Sequence, residues 1–176
     1  MPNPRDILAA IVAAQREAAE LILQAHGVLA ETKTGHRDVV TEYDRRVQEL
    51  LTERLSAAVP GAVFFCEENE QQGDLQAEHV FVIDPIDGTM NFVRGFHHSA
   101  ISVAYMRSGV IRAASVYNPY AEECFSALAG EGAWCNGRPI CAGELPLSER
   151  GSVSAWMGRP LHQAPSPARA EKHSSA

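Results

Sequence analysis

The sequence predicts a layered α+β domain in which helices pack on a mostly antiparallel sheet. Two long segments with helical spacing of apolar residues come first in the chain. Short apolar segments separated by turn residues follow from residue 62 onwards. The two kinds of element are segregated along the chain and do not alternate, which favours α+β over a parallel α/β fold.

The two helices are predicted at the amino-terminal end. The first begins at Asn3-Pro4, because asparagine is a favoured N-cap and proline fits the first helical turn. The second runs from Thr41 to about Ala58, and Thr41 and Asp44 have the spacing of a capping box. The residues expected to face inward are Ile7, Leu8, Ile11, Val12, Ala18, Leu21, Ile22 and Leu29 in the first helix, and Val47, Leu50, Leu51 and Leu55 in the second.

The strands are predicted after the helices, each as a short apolar segment bounded by turn residues. Val63-Phe64-Phe65 is expected to be a buried strand. The next strand begins at His79 and is expected to end at Asp84, where a proline follows. The remaining predicted strands are residues 101–106, 110–116 and 124–128, with turns at 107–109, 130–132 and 136–138.

Composition narrows the range of functions. The 176 residues carry a net charge of −7 and the sequence pI is about 5.5, so binding to nucleic acid or to an anionic membrane is not expected. The four cysteines contain no C-x-x-C pair, which argues against structural zinc and redox dithiols. No signal peptide and no apolar run long enough to span a bilayer are visible, so a cytoplasmic protein is predicted.

The segment VIDPIDGTMNF, residues 82–92, carries the strongest chemical signal. Asp84 and Asp87 flank a stiff proline turn, Gly88 permits unusual backbone angles, and Thr89 can begin a short helix. Two carboxylates that face one point, beside the free amides of a helix start, suit Mg²⁺ and a phosphate group. The alternative is an ordinary surface turn, in which Asp-Pro and Asp-Gly are common.

A second acidic pair, Glu67-Glu68, also follows a predicted strand. If the two strands are neighbours, up to four carboxylates converge, and only cations make such a cluster tolerable. Otherwise the pair belongs to a solvated acidic loop. Asp44 likewise has two interpretations, as a helix cap or as a site residue, and it could be both. Lys33 could be a site residue or a solvated lysine.

Three segments, in this order, resemble the inositol monophosphatase family of lithium-sensitive, Mg²⁺-dependent sugar-phosphate phosphatases. KTGHRDVVTEYD (residues 33–44) is similar to the family's lysine followed by D-x-V-T-x-x-D, and FFCEEN (64–69) to its G-E-E segment. VIDPIDGTMNFVRGF (82–96) is similar to its D-P-[IL]-D-G-T-x-N-F signature. The resemblance extends over roughly residues 5–145 and implies a sugar-phosphatase-like fold.

The resemblance implies a metal site with named ligands. Glu67, Asp84 and the carbonyl of Ile86 would hold a first Mg²⁺. Asp84 would bridge to a second Mg²⁺, held also by Asp87. Glu68 and Lys33 would lie near the metals without being certain ligands, and lithium would inhibit.

The resemblance also implies how the substrate would be attacked. Thr89, hydrogen-bonded to Asp44, would orient and help deprotonate the attacking water, and Glu67 counts among the catalytic residues. The substrate would be a small phosphate monoester, an inositol monophosphate or a related sugar phosphate. Its phosphate would bind at the turn formed by Asp87, Gly88, Thr89 and Met90. A homodimer is a further implication.

The chain departs from the family pattern in three places. Cys66 stands where the family usually has glycine, and Met90 where threonine is common. The family's second α/β half, with a W-D-x-A-A-G-like segment, has no counterpart, because Trp156 is followed by Met157. We therefore predict an incomplete domain over residues 1–155 and a disordered tail over 156–176. The alternative function is a truncated, catalytically impaired fragment that only binds metal, phosphate or another subunit.

Overall fold

The structure of the protein is a computed structural model that describes residues 2–32, 39–68 and 73–141. Contacts within the chain divide it into two units, Met1–Cys141 and Ala142–Ala176, and every described residue belongs to the first. Lys33 and the tail predicted over residues 156–176 lie outside the described residues. The domain boundary at residue 155 stays a prediction.

The first helix, α1 (Pro4–Leu23), begins where the sequence predicts. The side-chain oxygen of Asn3 accepts a hydrogen bond from the Arg5 amide at 3.0 Å, which is the contact expected of an N-cap. The helix ends six residues before Leu29, and that side chain is 84% exposed. The prediction that Leu29 belongs to the inward face is therefore wrong, because the helical period stops before it.

A short antiparallel pair precedes the second helix, where the sequence indicated only a polar break. It consists of β1 (Ala30–Thr32) and β2 (Val39–Thr41), with Ala30 opposite Thr41. The second helix, α2 (Glu42–Ala58), follows at once with Thr41 as its N-cap and a complete capping box to Asp44. The predicted helix start is thus confirmed, and the strand pair fixes the position from which α2 begins.

The other strands form one seven-stranded sheet in which sequence neighbours are spatial neighbours. Among the described strands of this sheet, the first two pair in parallel and every other pair is antiparallel, which confirms the predicted α+β class. Its strands are β3 (Val63–Cys66), β4 (His79–Asp87), β5 (Ala100–Arg107), β6 (Val110–Asn118), β7 (Glu123–Leu128), β8 (Gly132–Cys135) and β9 (Arg138–Ile140).

Three details of the sheet differ from the sequence prediction. β3 is half-buried over residues 63–65 because it lies at the edge of the sheet, where β4 is its one neighbour among the described strands. β8 and β9, each of four residues or fewer, were not predicted; only the turns at residues 130–132 and 136–138 were. The turn between them is real: Asn136 and Gly137 both have positive φ, as tight two-residue hairpins require.

β4 continues three residues beyond its predicted end at Asp84. Asp84 lies opposite Ser102 and Asp87 lies opposite Ala100, so β4 contains one extra residue at this point. Such a bulge suits Pro85, which has no amide to donate to the neighbouring strand. Residues three apart on a regular strand face opposite sides, and the extra residue allows Asp84 and Asp87 to face the same side.

α1 and α2 pack on one face of the sheet and form the core with it. α1 contacts β5, β6 and β7, and α2 contacts β4. One buried polar side chain joins the layers: Gln15 Nε2 donates to the carbonyls of Ile101 at 2.9 Å and Ser115 at 3.0 Å. Within the described residues, neither helix has the length and hydrophobicity needed to cross a membrane.

Candidate functional site

The parallel pairing of β3 and β4 brings two of the predicted carboxylates together. Cys66 lies opposite Ile83, and the Glu67 amide donates to the Ile83 carbonyl at 3.1 Å. Because parallel strands end at the same edge of a sheet, Glu67 emerges beside Asp84. The two side chains share a hydrogen bond. β3 and β4 are therefore neighbours, which was the condition for the predicted convergence of the carboxylates that follow them.

Asp84 is the electrostatic centre of this cluster. The pKa of Asp84 is raised to about 8, first by burial and then by the hydrogen bond and negative charge of Glu67, with smaller effects from Asp87 and Asp44. Burial also raises the pKa of Asp87. With a pKa of about 8, the Asp84 carboxyl group holds a proton at neutral pH when no cation is bound.

The residues of this cluster fit a hard divalent cation. In the described part of the chain, no three histidine, cysteine, aspartate or glutamate side chains are already arranged around one metal position. The buried Asp84 Oδ1, however, has no hydrogen-bond partner among the described residues. A buried carboxylate oxygen without a partner is costly, and a cation would compensate it. The donors nearby are carboxylate oxygens, which are the ligands that Mg²⁺ prefers.

Asp44 connects the amino-terminal end of α2 to the signature turn. Its Oδ2 accepts hydrogen bonds from the Thr41 amide at 2.7 Å and the Thr41 hydroxyl at 2.6 Å. The Thr89 hydroxyl lies 3.2 Å from Asp44 Oδ1 and 2.9 Å from the Ile86 carbonyl. Asp44 is 1% exposed, and this burial raises its pKa although the hydrogen bonds from Thr41 and Thr89 oppose the rise. Asp44 thus both caps the helix and contacts Thr89.

The turn after Asp87 has the backbone geometry that its glycine permits. Gly88 has φ of 87° and ψ of 37°, a left-handed conformation, and it precedes the short helix α3 (Thr89–Val93). The amides of Asn91 and Phe92 donate to the Gly88 carbonyl at 2.8 and 3.1 Å. The leading amides of a helix have no partner within the helix, and those of Thr89 and Met90 occupy this position.

Glu68 lies on the side of the cluster that faces α2. Its amide donates to Gln48 Oε1 at 3.3 Å, and its charge raises the pKa of Arg45 after the larger effects of Glu31. Gln48 was missed by sequence reasoning. The available signal was its position four residues after Asp44, which places both on one face of α2.

Comparison with known proteins identifies one family that this chain resembles. The model of the inositol monophosphatase family matches residues 3–174. The chain is 39% identical over 131 residues to an inositol-1-monophosphatase of Rhizobium meliloti, which covers 73% of this chain and 49% of that protein. It is 38% identical over 130 residues to a putative Nus factor SuhB of Neisseria meningitidis, covering 72% and 50%.

A solved structure supports the same assignment at the level of the fold. The structure of an IMPase/NADP phosphatase complexed with Mg²⁺ and phosphate is similar with a TM-score of 0.71 and 28% identity. The similarity covers 77% of this chain and 52% of that one. The chain therefore spans about half the length of the relatives it matches.

Proposed function

The chain belongs to the inositol monophosphatase family, and on that premise we propose that it hydrolyses a small phosphate monoester with the help of Mg²⁺. The substrate would be an inositol monophosphate or a related sugar phosphate. The observation that carries the proposal is the buried Asp84 Oδ1, which has no partner among the described residues and lies in a carboxylate cluster. Similarity to the R. meliloti inositol-1-monophosphatase supports the reaction, and similarity to the IMPase/NADP phosphatase complexed with Mg²⁺ and phosphate supports the cofactor.

Glu67, Asp84 and Asp87 are the side chains that would hold Mg²⁺, together with the carbonyl of Ile86. When bound, Mg²⁺ neutralises charge on the phosphoryl oxygens and lowers the pKa of water. The chain's own contribution is to keep these oxygen donors close to one another before the cation arrives. The bulge in β4 serves this purpose, because it allows Asp84 and Asp87 to face the same side.

Thr89 and Asp44 would direct the attacking water. The Thr89 hydroxyl has a single proton, and Asp44 Oδ1 and the Ile86 carbonyl are the acceptors it contacts. While these acceptors hold the hydroxyl proton, the oxygen lone pairs of Thr89 are available to accept a proton from water. Thr89 would then pass its own hydroxyl proton to the Asp44 carboxylate, and the raised pKa of Asp44 favours this transfer. Glu67 is a further carboxylate that could accept a proton.

The substrate phosphate would bind beside Asp87, at the backbone amides of Gly88, Thr89 and Met90.

The proposal is tested by measuring phosphate release from inositol 1-phosphate with Mg²⁺ and with EDTA. We expect release that requires Mg²⁺ and that lithium inhibits. Absence of release from inositol 1-phosphate and from a panel of sugar phosphates, in protein shown to be folded, would contradict the proposal. Three sequence predictions stay predictions: a homodimer, a cytoplasmic location and the lack of nucleic-acid binding. Gel filtration tests whether the protein is a homodimer.

The alternative function is binding of metal or phosphate without turnover. Mg²⁺ titration followed by calorimetry separates the two functions. Binding of Mg²⁺ together with phosphate release supports the hydrolase, whereas binding without release supports the alternative.

Thr89 provides a paired test of the proposed water-directing contact. Thr89→Val keeps the shape of the side chain but removes the hydroxyl, and we expect kcat to fall roughly 100-fold or more, the usual range for lost acid–base assistance. Thr89→Ser keeps the hydroxyl, and its kcat should stay within about tenfold of the original. Steady-state kinetics with a parallel measurement of Mg²⁺ affinity checks both. Equal kcat values for the two variants would remove Thr89 from the mechanism.

A further inference from the structure

A groove lies beside α1, on the helix-covered face of the sheet and built from different residues than the carboxylate cluster. α1 packs on β5, β6 and β7, and the groove is lined by residues of α1, β7 and β8 and of the turns beside these strands. The resulting groove has a volume of about 630 Å³. This volume lies within the range of about 300–1,000 Å³ that is usual for small-molecule sites.

The lining of the groove is mostly apolar. Leu8 and Val12, half-buried at the edge of the inward face of α1, form one wall. Cys124 and Leu128 of β7, both buried, and Trp134 of β8 also line it. A lining that contains these five apolar side chains favours an apolar ligand body.

The groove is lined by two arginines, Arg5 and Arg16, and only Arg5 forms an ion pair with a described carboxylate. Arg5 forms an ion pair with Glu131 at 2.5 Å. Arg16 forms no ion pair with any described carboxylate, and its guanidinium lies over the Tyr117 ring, 5.6 Å from the ring centre. Stacking holds a guanidinium in place and leaves the N–H groups at its edge available. In a chain of net charge −7, the groove therefore has one arginine whose charge is not compensated by any carboxylate of the described residues.

We propose that the groove binds a small amphiphilic carboxylate, a medium-chain alkanoate in its simplest form. The carboxylate would pair with Arg16, whose planar donors match two carboxylate oxygens. The apolar chain would lie along Leu8 and Val12 towards the Arg5–Glu131 pair. Arg5 and Arg16 are eleven residues apart on α1, and a helix rises about 1.5 Å per residue. The groove therefore offers roughly 16 Å of length to an extended chain.

Decanoate is the probe for this site, and Trp134 is its reporter. The chain contains two tryptophans, so the full-length Trp156→Phe variant leaves Trp134 as the single fluorophore. We expect decanoate to change the Trp134 emission saturably at concentrations at which decanol, which lacks the charge, binds at least tenfold more weakly. Equal binding of decanol would show that the carboxylate is not recognised and would overturn the proposal.

Two variants separate recognition by Arg16 from general adhesion to apolar surface. Arg16→Gln in the Trp156→Phe background should weaken decanoate binding tenfold or more. The matched control Arg112→Gln, at an exposed arginine of β6 that does not line the groove, should leave it unchanged. Unchanged affinity in Arg16→Gln would overturn the proposal, as would an equal loss in both variants.

A third variant tests the groove itself. Ala13 is exposed on its rim, and Ala13→Phe should fill the space and abolish binding while the thermal unfolding midpoint stays within a few degrees. Decanoate binding to Ala13→Phe with the original affinity would place the ligand elsewhere. An emission change that follows protein concentration and not decanoate would assign the groove to a second copy of the chain. Either result would overturn the proposal.

Discussion

Asp84→Asn is expected to abolish the stabilisation of this protein by Mg²⁺ and to raise its thermal midpoint in EDTA at pH 8. The substitution keeps the shape of the side chain and removes its charge. Without a cation, an ionised Asp84 is buried beside the negative charges of Glu67, Asp87 and Asp44, which destabilises the fold. With a cation, the same carboxylate is expected to be a central ligand. Thermal unfolding of both proteins, with and without Mg²⁺, measures the two effects together.

The stability of the unmodified protein should depend on pH through the ionisation of Asp84. An aspartate in an unfolded chain has a pKa of about 3.9, whereas burial and Glu67 raise the folded-state pKa of Asp84 to about 8. The folded state therefore retains a proton that the unfolded state has lost between these values, and metal-free stability should fall as the pH rises through this window. The decline is bounded at about 1.4 kcal/mol per pH unit for one proton. In Asp84→Asn this decline should be largely absent.

The apparent affinity for Mg²⁺ is expected to have the opposite pH dependence. On the proposed function the cation would bind ionised Asp84, so binding below pH 8 would release the proton that Asp84 holds. We expect the apparent Mg²⁺ affinity to increase with pH up to about 8. Calorimetry in buffers of different ionisation enthalpy detects the released proton.

Asp74→Asn is the matched control for the charge change. Asp74 is exposed, and its side-chain oxygen accepts a hydrogen bond from the Gln76 amide at 2.8 Å, a contact that asparagine can keep. This variant should match the unmodified protein in Mg²⁺ response and pH profile. If Asp84→Asn retained the full response to Mg²⁺, the cation would bind elsewhere and the proposed function would lose its main support.

Features that depend on local chemistry could be predicted from the sequence. Both helix starts follow from caps within three residues, at Asn3 and at Thr41 with Asp44. The β5–β6 hairpin follows from alternating apolar residues around a Ser-Gly turn. Asp84, Asp87 and Thr89 were named from a dense local motif in which Pro85 fixes the turn and Gly88 permits unusual backbone angles.

Features that depend on a distant partner could not be predicted in the same way. The bulge in β4 exists only in relation to β5, because a register is a property of two strands. The pairing of β3 with β4 brings Glu67 to Asp84. The sequence could only say what would follow if these strands were neighbours, since no local signal identifies the neighbour of a strand. Gln15 is the third case. A glutamine within an apolar helix face gives no sign that it will donate to carbonyls of β5 and β6.

Leu51→Ala is expected to lower the free energy of unfolding by about 2–5 kcal/mol. Leu51 is fully buried in the core, so the truncation removes apolar contacts and leaves a cavity. Alanine has a higher helix propensity than leucine, so α2 itself gains slightly and the loss must come from packing. Because domains are stable by only about 5–15 kcal/mol, a loss of this size is easily measured by urea unfolding.

Leu29→Ala makes the same chemical change at a site where the sequence pattern and the structure disagree. The pattern assigned Leu29 to the inward face of the first helix, whereas the structure leaves it 84% exposed beyond the end of α1. An exposed truncation should change the free energy of unfolding by no more than about 0.5 kcal/mol. A loss at Leu29 comparable to that at Leu51 would mean that this side chain is buried in solution, and it would restore the original helical assignment. A large difference between the two variants shows that burial against the sheet, and not the helical pattern alone, determines which leucines stabilise the fold.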